Sequence, residues 1–347
     1  RYCHSAILSA CDLHDFCRNP YRFNQKGRNI VSRVESNRLP LEDKQRVAVI
    51  GGGPAGSFFS YFLLVFAERM GLEISLDIYE ARDFAAIGPA GCNMCGGIVS
   101  ESLVQNLALE GIDLPEAVVQ RGIDSYMMHT EAGACPIETP SHEKRIAAVH
   151  RGGGPRTARI SRWQSFDLHM LNLAVAKGAT VRRARVGEIR WNEGKPEVRA
   201  GNSAPESYDL LVGAIGVNSG ELKAFENLGF GYQRPGVVRT FITEIEFGAE
   251  KVKELFGSAM HVFLLNLPRL DFAAIIPKGD YVTLCMLGTD IDNKLVDAFW
   301  RHPAVKCCFP PVWEPPKDAC RCSPKMYFGA ARKPFADRVV LVGDCAV

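Results

Sequence analysis

Arg46-Val47-Ala48-Val49-Ile50-Gly51-Gly52-Gly53-Pro54-Ala55-Gly56 is the stretch that decides how this chain folds. Val47 to Ile50 form a continuous apolar run, the pattern of a parallel strand buried on both faces. The glycines that follow contain G-x-G-x-x-G at Gly51, Gly53 and Gly56. Residues 55–70 then read as a helix and 74–79 as a second strand, which makes a β-α-β unit. In such a unit Gly51 permits the tight turn and Gly53 lets the backbone approach a pyrophosphate. Gly56 lets helix and strand pack closely. Pro54 and Ala55 open the helix, whose free N–H groups and partial positive charge suit phosphate. Glu80 closes the second strand 24 residues after Gly56, with Ala81 behind it. A carboxylate there can accept hydrogen bonds from ribose hydroxyls, so the unit is expected to bind a dinucleotide.

Working outward, strands at 180–186, 209–214 and 338–342 are expected to complete the same parallel sheet. A helix over 164–177 ends at Gly178, where a left-handed glycine closes it. Residues 125–130 and 145–150 alternate like antiparallel strands, 236–287 is β-rich, and 313–324 reads as a Pro- and Cys-rich loop. The expected fold is α/β: a Rossmann-like domain, discontinuous in sequence, over 46–120, 151–220 and 335–347, with an inserted β-rich substrate domain over 121–150 and 221–334. Residues 1–45 are a polar extension without an assigned fold. The chain starts at Arg1 and stops just after an apolar strand that would normally feed a helix, so it is read as a fragment.

Composition narrows the class. With 347 residues, one large domain or two ordinary ones are expected. The 47% hydrophobic and 23% charged residues give the balance of a soluble globular chain. A net charge of +2 is too small to argue for nucleic acid or an anionic membrane. No apolar run reaches the ~18 residues needed to span a bilayer, and no secretory leader is visible. The expected location is therefore cytoplasmic, with peripheral membrane contact left open. The 12 Cys are irregularly spaced, which argues against a disulfide scaffold. Cys3, Cys11 and Cys17 read as reduced thiols of the extension.

FAD and NAD share the glycine fingerprint, so a second feature must separate them. Arg338-Val339-Val340-Leu341-Val342-Gly343-Asp344 resembles the second flavin signature of the p-hydroxybenzoate hydroxylase-like flavoproteins, an apolar strand ending in Gly-Asp. The resemblance implies FAD, with Asp344 after Gly343 accepting from the ribityl chain. Residues 208–219, with Gly213 and Gly216, look like the family's Asp-Gly motif and are implied to help hold the pyrophosphate. Here the family's aspartate is Ile215, and the arginine that usually follows the serine is missing. That departure argues against direct reduction by NAD(P)H and for a protein electron donor such as a ferredoxin. Arg162 resembles another flavin contact of the same family.

Gly91-Cys92-Asn93-Met94-Cys95-Gly96-Gly97 is similar to the Cys-Gly-Gly segment of geranylgeranyl reductases, which saturate isolated double bonds of polyprenyl chains with reduced FAD. The resemblance implies an FAD-dependent reductase of carbon–carbon double bonds in an isoprenoid-like or other apolar or lipid substrate. A flavin monooxygenase and a redox carrier stand as the alternatives. It also implies a catalytic part for Cys95, carried beside the flavin by a loop whose Gly96 and Gly97 admit a planar ring, and favoured as thiolate by a helix starting near Ser102. A thioredoxin-like pair, a zinc half-site completed by Cys307-Cys308 or by Cys320 and Cys322, and a plain structural loop are other readings of Cys92-x-x-Cys95. No metal ligand is assigned, because these cysteines fall in different expected domains. Archaeal members carry a Tyr-x-Trp-x-Phe-Pro run where this chain has Phe272, Ala274, Ile276 and Pro277, which enlarges the expected pocket.

Overall fold

The computed structural model describes residues 41–158 and 164–346. Strand Arg46–Ile50 lies at the middle of a six-stranded sheet, and its residues Val47 to Ile50 are at most 1% exposed. It pairs in parallel with Ser75–Tyr79 on one side and Leu210–Gly213 on the other. Thr180–Arg182 and Val339–Leu341 extend the sheet outward in parallel, and short Phe335–Ala336 closes one edge antiparallel. Helix Pro54–Met70 and helix Phe166–Ala176 pack together on one face, supplying Leu64, Leu171 and Ala174 to the core. The second helix is capped by Ser165, whose hydroxyl accepts from the Leu168 N–H, and ends before Gly178 at φ +108°.

The β-rich remainder is a seven-stranded sheet in the order Cys320–Cys322, Phe241–Glu246, Tyr281–Gly288, Leu270–Pro277, Ala259–Leu264, Ser125–Thr130, Gly133–Glu138. Helix Asn293–Arg301 presents Leu295, Val296 and Phe299 to its apolar face. Within the alternating segment 145–150, Ile146–Val149 pairs antiparallel with Val119–Ile123 and Ile98–Val99 in a separate three-stranded sheet. Two expectations are corrected. Residues 180–186 split, because Arg182, Arg183 and Arg185 interrupt the apolar pattern. Only Thr180–Arg182 stays in the parallel sheet, while Val186–Asn192 starts an antiparallel one. The loop at 313–324 contains a strand, since Cys320–Cys322 pairs with Ile242 to Glu244 and thereby satisfies that edge. Cys3, Cys11 and Cys17 lie outside the described residues.

Candidate functional site

At the carboxyl ends of the central parallel strands lies a cavity of about 610 Å³, where open α/β sheets place their ligands. That volume is in the range of roughly 300–1,000 Å³ usual for ligand sites. Gly51, Gly53, Pro54 and Ala55 line it from the glycine turn, and Glu80 and Ala81 from the end of the second strand. Gly216 lines it from the third segment, and Gly343 and Asp344 from the last strand. Cys95 reaches it from the cysteine loop. Five separate pieces of the sequence thus meet at one hollow.

Gly51 has φ +105°, and a Cβ there would run into the Ala214 carbonyl. Gly53 is different: a Cβ would point into free space, with only Asn93 Nδ2 at 3.7 Å. No side chain caps the helix that follows and no acid sits in its first turn, so its N-terminus is available to an anion. Glu80 Oε2 accepts from the Gly52 N–H at 2.9 Å and Oε1 from the Arg82 N–H at 2.8 Å, which fixes the carboxylate at the cavity edge. Gly343 abuts Ala55, where a Cβ would come to 2.5 Å.

Two expected residues stay off the cavity lining. Gly56 packs helix on strand, as its place in the motif demands. Gly213 faces the Phe225 ring, where a Cβ would come to 2.9 Å, so the lack of a side chain there serves core packing. Arg162 lies outside the described residues.

The cysteine loop is held by charges that sequence reading missed. Asp167, fully buried, pairs with Arg151 through Nε and, at 3.1 Å, Nη2, and accepts from Asn93 Nδ2. Arg82 Nη1 donates to Asn93 Oδ1 at 2.5 Å and to the Cys92 carbonyl at 3.0 Å. Burial opposes the charge on Arg151, but Asp167 and then Cys95 more than offset it and raise its pKa. The cation beside Cys95 is therefore Arg151. The following helix, Glu101–Leu109, starts further on and is capped by Ser100. Arg151 stands just before three consecutive glycines, the one sequence signal that could have marked it.

The glycines around this loop also serve close packing within the protein. A Cβ on Gly96 would come to 2.6 Å from Cys285 Sγ, and one on Gly97 would strike the Val149 carbonyl. A Cβ on Gly152 would come to 2.7 Å from the Gly91 backbone, and Gly91 and Gly153 are pressed against the 83–86 turn. Of these glycines only Gly96 lines the cavity; Gly91, Gly97, Gly152 and Gly153 pack against backbone off its lining. Burial raises the thiols of Cys92, Cys285 and Cys322, the last to about 12, and Cys95 adds to the rise at Cys285.

Below the loop, Lys278 is 1% exposed and places Nζ 3.1 Å from Glu244 Oε1, which also accepts from Thr283 Oγ1 at 3.2 Å. His150 Nδ1 lies 3.5 Å from the same oxygen. Burial works against the Glu244 carboxylate, yet Lys278 and then His150 hold its pKa far below the usual range. Burial, helped by Lys278, lowers the pKa of His150 against the opposing pull of Glu244.

No family model matches this sequence, and no curated protein matches it. Solved structures do share the fold. A geranylgeranyl bacteriochlorophyll reductase-like protein from Thermoplasma acidophilum superposes with a TM-score of 0.63 at 16% identity, over 88% of this chain and 72% of that one. A flavoprotein/dehydrogenase from Cytophaga hutchinsonii gives 0.59 at 17% identity, over 88% and 72%. A p-nitrophenol 4-monooxygenase from Pseudomonas putida gives 0.57 at 14%, over 88% and 74%. The likeness to these flavoproteins, read first from short motifs, holds for the architecture: a parallel α/β sheet with added antiparallel sheets. Among the described residues, no helix is long and apolar enough to cross a membrane.

Proposed function

We propose that this chain binds FAD and works as an oxidoreductase, reducing carbon–carbon double bonds in an apolar, isoprenoid-like substrate. The observation that carries the reading is the convergence of Gly53, Glu80 and Asp344 on one cavity from segments about 290 residues apart. In this reading the uncapped helix N-terminus and the Gly51 and Gly53 backbone take the pyrophosphate. Glu80 takes the ribose and Asp344 the ribityl hydroxyls. The parallel sheet carries the nucleotide and the seven-stranded sheet the substrate wall. Ile242, Cys285 and Leu287 line the cavity from that wall, which favours an apolar partner. When bound, FAD supplies hydride chemistry. Cys95, next to the Arg151 guanidinium, is the side chain placed to hold or deliver the accompanying proton at Sγ.

Two results test this. Ile215 is 2% exposed and offers no acceptor beside Gly216. Flavin reduction by NADPH or NADH is therefore expected to be slow, with dithionite or a ferredoxin-type donor far faster. Rapid anaerobic bleaching by either nicotinamide, with hydroxylated product in air, would instead identify monooxygenase chemistry. Cys95 is exposed at the cavity, so its alkylation rate is expected to change with flavin occupancy and redox state, while that of exposed Cys135 stays constant. Peptide mapping after a timed iodoacetamide pulse reads both, and a Cys95 rate indifferent to flavin sinks its catalytic role.

A further inference from the structure

A second cluster of reactive side chains lies in the seven-stranded sheet, and none of its members lines the cavity. His129 sits on Ser125–Thr130 and His261 on the neighbouring parallel strand Ala259–Leu264, in register with Phe263 and Met127 respectively. Both imidazoles leave the sheet on one face and are 4% and 8% exposed. His129 Nε2 stands 3.0 Å from His261 Nδ1. Cys308, in the turn after the short helix Pro303–Lys306, brings its Sγ to 3.7 Å from each of those nitrogens. Phe263 stacks on the His129 ring at 4.4 Å and Phe256 meets the His261 ring edge-on at 5.1 Å, so aromatic packing holds both imidazoles in place.

A hydrogen-bonded pair of neutral imidazoles needs one donor and one acceptor and no third group. Here a sulfur completes a closed triangle, equidistant from both nitrogens. Metal–nitrogen bonds of ~2.05 Å and metal–sulfur bonds of ~2.3 Å at tetrahedral angles give nitrogen–nitrogen edges of about 3.3 Å and nitrogen–sulfur edges of about 3.6 Å. The observed edges depart from these by only a few tenths of an ångström. Among the described residues, this is the one group of three or more His, Cys, Asp or Glu whose ligand atoms lie within 4.8 Å of one another. Cys92, Cys95, Cys320 and Cys322, the pairs that sequence spacing brings to mind for zinc, do not form such a group.

We propose that His129, His261 and Cys308 bind one zinc ion, with water or the adjoining Cys307 in the fourth position. Two imidazoles and a thiolate are a borderline-soft set that suits zinc. The Cys308 thiol passes its proton to solvent as the metal binds, and no electron is transferred. The ion would pin the turn after Pro303–Lys306 to the two central histidines, a structural staple independent of the flavin cavity. This departs from the sequence reading, which assigned no metal. The three ligands are separated by 132 and 47 residues, so no spacing motif announces them.

Cobalt(II) titration of the full chain tests the site, read in the red beyond the absorption of oxidised flavin. One equivalent is expected to give the ligand-field bands of a tetrahedral site. Those bands should be lost in Cys308→Ser and kept in Cys92→Ser and Cys322→Ser. X-ray absorption of the zinc-loaded wild-type protein needs no variant and decides the case should Cys308→Ser fold poorly. It should show two imidazoles and at least one sulfur per zinc. An all-sulfur shell, bands that survive in folded Cys308→Ser, or no stoichiometric uptake would each overturn the proposal.

Discussion

Gly53→Val is expected to strip the flavin from the protein while leaving its fold intact. The backbone at Gly53 has φ −67°, a conformation open to any L-residue, and its missing side chain faces open cavity. The fold should therefore lose little, within the ~0.5 kcal/mol usual for substitutions that disturb no packing. The added branched side chain would occupy space the reading assigns to the pyrophosphate. A tenfold loss of affinity needs only ~1.4 kcal/mol, and a steric block of this kind exceeds it. Flavin absorbance per chain after desalting should fall below about a tenth of the wild-type value, a loss of ~1.4 kcal/mol or more, with the circular dichroism spectrum unchanged. Gly51→Val supplies the contrast, because its φ of +105° and the Ala214 carbonyl should make that variant unfold. Full occupancy in a folded Gly53→Val protein would mean the nucleotide is held elsewhere.

The second large effect belongs to the buried charges under the cysteine loop. Lys278→Met leaves Glu244 inside the protein without its main counter-charge, and breaking a buried pair in this way costs about 3–5 kcal/mol. Urea unfolding should show this as a lower midpoint. The double variant Lys278→Met/Glu244→Leu should recover much of the loss, since removing both charges spares their desolvation. A single-variant cost under ~1 kcal/mol would show that water reaches the pair.

The same groups set an acid limit. His150 has a lowered pKa in the folded protein, so protonation favours the unfolded chain, and stability should begin to fall below pH ~6.5. His129 and His261 are also lowered, chiefly by burial, and act in the same direction in the metal-free protein. Glu244, depressed in the fold, keeps its full contribution above pH ~4.3 and loses it as pH falls further. Thermal midpoints across this range check the sign, and midpoints that rise on acidification would contradict it.

The β-α-β unit was legible because its information is local: a strand, a glycine turn and a helix follow one another, and the period of each element shows. Glu80 and Asp344 were legible because each ends an apolar strand, the position from which a side chain reaches the cavity. Arg82, Asn93, Arg151 and Asp167 were not, because only the packing of two loops against a helix end brings them together. Arginine and aspartate scattered through polar sequence carry no pattern. Lys278 follows Pro277 with no pattern to mark it, yet it is one of the largest fully buried side chains. Its partner Glu244 sits inside an apolar alternation that gives no hint of an ion pair. Gly96 and Gly97 stood out correctly as positions of close approach, but what approaches them is the protein itself.

That last point bears on the entropy of binding. Ordering a rotamer-rich side chain at an interface costs roughly 0.5–1.5 kcal/mol. At Gly96, which lines the cavity, there is no side chain to order, and Gly91, Gly97, Gly152 and Gly153, off the lining, are wedged against neighbouring backbone. A ligand that comes to rest there loses its own freedom but takes almost none from the protein. Calorimetry should therefore find the ordering cost on the ligand's side, so that a stiff planar molecule gains more from this surface than a flexible one of equal area.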